Sequence, residues 1–187
     1  HRAKAVYYGM DFTDLNLKNI NLTLSNIKNN GSNIKARIEH ISTLEKSDFY
    51  LTNFKGNVEI DSNFVQIDSL QFATINSDVK TNFFRFEFAD PNYFEDDFEN
   101  KVKIIADFKA SKINLKDLSY FTSFFEGIDR AVLFTGKFNG YVSDFKSTDV
   151  YIKLDHNTHY KGDLAMKGLP NNSLTTFNAK IDEFVTN

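Results

Sequence analysis

Apolar and polar residues alternate along almost the whole chain. In Val102-Lys103-Ile104-Ile105-Ala106-Asp107-Phe108-Lys109-Ala110, one side collects Val, Ile, Ala, Phe and Ala. The other side collects Lys103, Asp107 and Lys109, with Ile105 the one misfit. A period of two predicts a strand with one apolar and one wet face. The same beat recurs at Ile20/Leu22/Leu24, Ile34/Ala36/Ile38, Val79/Thr81/Phe83, Phe84/Phe86/Phe88, Val132/Phe134/Gly136/Phe138, Val150/Ile152/Leu154 and Phe177/Ala179/Ile181. Clusters of turn formers separate these runs, at residues 29–32, 46–48, 61–63, 76–77 and, most clearly, 168–172 (GLPNN). Their spacing predicts hairpins, and hence antiparallel neighbours in a meander.

Two segments depart from the alternation. Residues 89–100 (ADPNYFEDDFEN) hold one of the two prolines and five acidic residues, and read as a loop with room for a helical turn. This loop divides an N-terminal meander (11–88) from a C-terminal one (101–187). In residues 116–126, Leu118, Phe121 and Phe125 form a one-sided stripe at helical spacing. Asn114 or Asp117 is placed to cap a short helix there, and Gly127 to end it. Residues 1–10 are weakly patterned and read as a leading edge. The expectation is one all-β segment, 1–187, belonging to a longer protein.

Composition narrows the chemistry. The chain has 20 Phe, 8 Tyr, no Trp and no Cys, with a net charge of −3. Phe brings large apolar area without a polar group to satisfy. The mild acidity, with no long Lys/Arg cluster, speaks against a nucleic-acid surface. The absence of cysteine removes disulfides, thiolate catalysis and Cys-based zinc sites. No apolar run approaches the roughly 20 residues that span a bilayer.

Candidate reactive groups are few. His156 and His159 stand three apart beside Asp155 and Asp163, but positions three apart on a strand face opposite sides. His40 is alone. The acidic loop lacks the ligand alternation and the glycine of a calcium loop. Asp96 and Asp97 have no strand scaffold to aim them as a glycosidase pair. No serine elbow, phosphate loop or dinucleotide fingerprint occurs. No catalytic residue, metal or cofactor is expected, and the chain reads as non-enzymatic.

A one-sided sheet must close on itself, pack on another sheet, or hold an apolar ligand. On the residues alone, a filled β-sandwich core is preferred. It would suit a carbohydrate- or protein-binding module of a secreted protein, although such sites favour Trp and Tyr on loops. The alternation assigns Val102, Ile104, Ala106, Phe108, Val132, Phe134, Phe138, Val150, Ile152 and Leu154 to the apolar face.

Several segments resemble the TamB branch of the AsmA-like superfamily, in its Bacteroidetes-type form. Glu45-Lys46-Ser47-Asp48-Phe49 resembles a strand-opening turn of that family, with Asp48 where glycine is usual. Ile67–Thr74 followed by Ser77-Asp78-Val79 resembles one of its strand-to-strand steps. Asn114–Phe121 resembles the opening of its short helix. Gly136, Gly140, Thr158, Gly162 and Gly168-Leu169-Pro170 resemble the strands that follow. The similarity spans roughly residues 14–184. It implies a periplasmic protein anchored in the inner membrane by a helix outside this sequence. Its body would be a β-sheet curled into a hydrophobic groove, a β-taco. Its partners would be phospholipid acyl chains and an Omp85-type outer-membrane barrel protein. Its work would be lipid transport between the membranes and outer-membrane protein assembly. The resemblance favours the groove over the filled core.

Overall fold

The computed structural model describes residue 10 and residues 14–120, 125–154, 158–169 and 174–186. Ten strands follow the alternation: β1 (Leu17–Asn30), β2 (Asn33–Glu45), β3 (Tyr50–Asp61), β4 (Phe64–Ala73), β5 (Asp78–Glu87), β6 (Lys103–Asn114), β7 (Ala131–Tyr141), β8 (Asp144–Lys153), β9 (His159–Lys167) and β10 (Thr176–Val185). They form one antiparallel sheet in strict chain order. β5 and β6 pair directly, so the two meanders share that sheet across the acidic loop. The described strands make no second sheet, and the sandwich alternative fails for that reason. The sheet is open, with β1 and β10 as its edges.

Hairpin chemistry sets the order. The first connection is the two-residue turn Gly31-Ser32, with Gly31 at φ +74°. Glycine adopts that conformation without strain, and the resulting turn matches the twist of its strands. Asp48, in the 46–49 turn, also lies in the left-handed region, at φ +70°.

The helical segments are short. The acidic loop holds two four-residue helices, α1 (Tyr93–Asp96) and α2 (Phe98–Lys101). The helix expected over 116–126 is observed as α3, Leu115–Leu118. Asn114 caps it, its side chain accepting from the Lys116 amide at 2.9 Å. Ser119 ends it, donating its hydroxyl back to the Lys116 carbonyl at 2.6 Å, and Ser119–Tyr120 are turn. A serine that bonds to nearby backbone competes with helix propagation. Phe121 lies outside the described residues, and Phe125 is separated from α3.

Polar tethers hold the connections in place. Asp117 is buried. Its carboxylate accepts from the Thr74 hydroxyl at 2.5 Å, the Asn76 amide at 3.1 Å, and the Ser77 hydroxyl. It thereby ties α3 to the β4–β5 turn. Glu45 is 1% exposed and accepts from the amides of Asn16 and Ser47 at 3.1 and 2.7 Å. Burial pushes its carboxyl up. Hydrogen bonds from Ser47 and from the amides of Asn16 and Lys46 outweigh that and hold it down to about 2.

Candidate apolar trough

Residues paired across antiparallel strands share a face, so the ladder traces that face residue by residue. One row runs Ile34–Ile60–Val65–Phe86–Ile104–Gly140–Phe145–Met166–Phe177, from β2 to β10. The next runs Ala36–Val58–Ile67–Phe84–Ala106–Phe138–Ser147–Leu164–Ala179. Toward the other strand ends lie Leu22–Ile41–Phe54–Phe72–Val79 and Ser111–Phe134–Ile152–Tyr160–Phe184. All but a few of these positions are apolar.

These rows stay on one face because the alternation slips part-way along many strands. The inward residues step by three at Ile38→Ile41, Ile67→Leu70, Thr81→Phe84, Phe108→Ser111, Ser147→Val150 and Ile181→Phe184. The pairing register shifts at these places. Each slip is a bulge-like irregularity that restores the phase. Without it, the far half of the strand would turn its apolar side outward. Two of the extra residues, Ser69 and Asp149, take left-handed conformations at φ +53° and +54°.

The intervening strands β3, β7 and β9 carry a glycine at the same level. Gly56 pairs with Ile38, Gly136 with Phe108, and Gly162 with Val150 and Ile181. A Cβ on Gly136 would lie 3.1 Å from Val150 Cα, and one on Gly162 would lie 2.0 Å from the Lys180 carbonyl oxygen. Bulges bend strands, and glycines permit the close backbone approach that a bend requires. Their alignment makes a crease across the sheet, with an arm on either side. The apolar rows line a trough that runs across the strands. Nine strand spacings of about 4.8 Å give it a length of about 43 Å.

Two covers lie on the arms. Phe94 and Phe98 from α1 and α2 pack on Phe86 with ring centroids 5.5 and 5.9 Å apart, and Phe94 also meets Phe88 at 5.1 Å. At the opposite strand ends, Tyr120 packs edge-on against Phe49 at 5.3 Å. Beyond β6 the floor deepens into an open concavity of about 300 Å³, where Phe108, Val132, Phe134, Phe138, Val150 and Ile152 meet Leu164.

Those six are among the ten residues that the alternation assigns to the apolar face. Ile104 and Ala106 sit in the adjoining rows. Val102 is fully buried at the C-terminal end of α2, and Leu154 lies past the end of β8, exposed. The same face also takes in Ile60, Val65, Phe86, Met166 and Phe177. The repeated alternation carries the signal for these, but the slips in phase break its continuity along the sequence. At the edges the face is uncovered: Leu22 is 54% exposed on β1 and Ile181 59% on β10.

The opposite face is mostly polar, with Phe64, Phe83, Ile105 and Leu133 set among charged and amide side chains. Lys35–Glu59 at 3.0 Å, Arg85–Glu87 at 2.9 Å and Lys137–Asp149 at 2.8 Å are among its ion pairs. The hydrogen bond and charge of Lys137 hold the Asp149 carboxyl below its usual range.

Of the polar candidates, His40 bonds Asn53 and Ser42 at 3.0 and 3.2 Å. His159 meets Glu183 at 3.1 Å, and Asp163 accepts from the Asp149 amide at 3.2 Å. Asp155 and His156 lie outside the described residues. Asp96 ends α1 and Asp97 follows it. Among the described residues no three His, Cys, Asp or Glu side chains converge as a metal site. None of their helices is long and apolar enough to cross a membrane.

No family model, curated protein or solved structure matches this chain.

Proposed function

We propose that this chain is a non-enzymatic segment whose apolar trough receives phospholipid acyl chains. The observation that carries the reading is the continuous apolar face, held in phase across the crease and left open at both edges. Acyl chains have no polar groups, so a trough of Ile, Val, Leu and Phe meets their whole requirement. A leaflet's hydrocarbon is about 15 Å thick, half of the bilayer core, so the trough is long enough to take such chains lying along it.

On this reading the chain belongs to a periplasmic protein of the TamB/AsmA-like kind, anchored in the inner membrane. It passes lipid toward the outer membrane and works there with an Omp85-type barrel in membrane and protein assembly. The support for that context is the sequence resemblance.

The test is photo-crosslinking in cells from Ile104, Phe134 and Ile152 of the full-length protein. Lipid adducts are expected at these three positions and none at Lys103 or Lys153. Equal labelling of both sets, or no lipid adduct at any position, overturns the proposal.

A further inference from the structure

We infer that the β5–β6 connection is a gate across the trough. Phe94 and Phe98 close it by resting on Phe86, and the segment swings away on Phe88 and Val102 to let an apolar chain run past. The inference rests on the acyl-chain reading above and adds a means of control to it. At the same strand ends, β1–β2, β3–β4 and β7–β8 turn with two residues each, 31–32, 62–63 and 142–143. A tight hairpin is therefore enough to reverse the chain there. β5–β6 instead runs from Phe88 to Val102 and folds back over the apolar face as α1 and α2. Long connections of this kind are typical of lids.

Phe86 lies inside the row that runs from Ile34 to Phe177, between Val65 of β4 and Ile104 of β6. A chain lying along that row meets the two rings part-way and competes with them for the same apolar surface. The segment is fixed at its ends and loose between them. Phe88 and Val102 are buried, and the Phe88 amide donates to the Asn63 carbonyl at 3.0 Å. Between them no residue of α1 or α2 is buried, neither helix has a side-chain cap, and Phe94 stays 38% exposed. Helices of four residues have little stability of their own. The Ser143 amide donates to the Glu99 carbonyl at 3.1 Å and latches α2 to the β7–β8 turn. A segment built this way opens locally at far smaller cost than the sheet beneath it.

The experiment measures oleate binding to the 187-residue chain and to two variants by equilibrium dialysis. Glu99→Cys with Ser143→Cys sets a disulfide at the latch, where the two backbones already bond, and the chain has no cysteine of its own. The locked form should bind at least about tenfold more weakly than the same protein after reduction, because the open fraction falls. Phe94→Ala with Phe98→Ala removes the two rings and should bind at least as tightly as the unaltered chain. Hydrogen exchange follows the gate without ligand. The Asp97 and Lys101 amides, bonded within the connection, should exchange at least about tenfold faster than the ladder amides of β5 and β6, and should slow in the locked form. Circular dichroism checks that each variant folds. Equal affinity of the locked and reduced forms, or gate amides as protected as those of β5 and β6, overturns the gate and leaves the trough reading standing. Binding to none of the forms, the ringless variant included, overturns the trough reading and the gate with it.

Discussion

Gly162→Ala tests whether the crease depends on close backbone approach. The added methyl would sit 2.0 Å from the Lys180 carbonyl oxygen and 2.8 Å from the Tyr160 hydroxyl. The hydroxyl can swing aside, but the carbonyl belongs to the β10 backbone. Ordinary contact begins near 3.4 Å, so β10 must retreat by about 1.4 Å. Ladder bonds on either side then stretch beyond useful length. Losing two of them costs about 1–3 kcal/mol. Residue 162 sits at φ +152°, which adds about 1–2 kcal/mol for any residue with a Cβ. The reduced freedom of alanine in the unfolded chain returns about 0.4–1 kcal/mol. The net loss is about 2–4 kcal/mol, or roughly 5–15 °C in melting temperature for a chain of this size. Gly31→Ala is the control. It has φ +74° and no atom within 4 Å of the new methyl, so it costs only about 1 kcal/mol. Gly136→Ala, 3.1 Å from Val150 Cα, falls between them. Melting temperatures of the three variants should follow that order. If Gly162→Ala is as mild as Gly31→Ala, the crease does not depend on close backbone approach.

Asp48→Gly relieves a left-handed residue in the 46–49 turn and should raise stability by up to about 1 kcal/mol in chemical denaturation; a loss would mean the Asp48 side chain supports the turn. Asp117→Ala leaves three donors from Thr74, Asn76 and Ser77 without their acceptor and should cost about 3 kcal/mol, with Asp117→Asn recovering part; a neutral result would mean that water replaces the carboxylate. Glu45 has a carboxyl held down to about 2 in the fold, against 4.5 for the free group. Its contribution is therefore complete above about pH 4.5 and is lost as pH falls toward 2. Denaturation across that window should show a component that Glu45→Gln lacks, and identical pH profiles would refute the assignment.

Most of the architecture was legible because a half-buried strand writes its geometry directly into residue order. The runs at Ile34/Ala36/Ile38 and Val132/Phe134/Phe138 became strands facing as read, and the Gly31 turn fell where turn chemistry placed it. The crease was hidden for the same reason. A bulge adds one residue, and in one dimension that looks like the end of one strand and the start of another. Val79/Thr81/Phe83 and Phe84/Phe86/Phe88 therefore read as two runs, where β5 is one strand with a slip between Thr81 and Phe84. The helix near 116–126 was placed correctly at its cap; Ser119, which turns its hydroxyl back on the backbone, is not signalled by an apolar stripe, and residues 121–124 of that stretch lie outside the described residues. The choice between filled core and open trough was not legible either, since both require the same alternation.

The slips in phase bear on that choice. Each one interrupts ladder pairing, and several put Asn, Ser or Asp in a conformation that side chains disfavour. A flat sheet packed on a second layer could carry its apolar residues in simple alternation and would gain nothing from a bend in strand after strand. Here the bends leave the apolar sides of both arms facing one concavity, and α1, α2 and Tyr120 reach over parts of it. Leu22, Phe177 and Ile181 remain more than half exposed on that face. A contiguous apolar surface on a folded domain marks a place where something else binds. On the reading proposed above, a trough with no charged groups along its rows and only a few polar ones, Ser111, Ser147 and Tyr160, suits an apolar occupant.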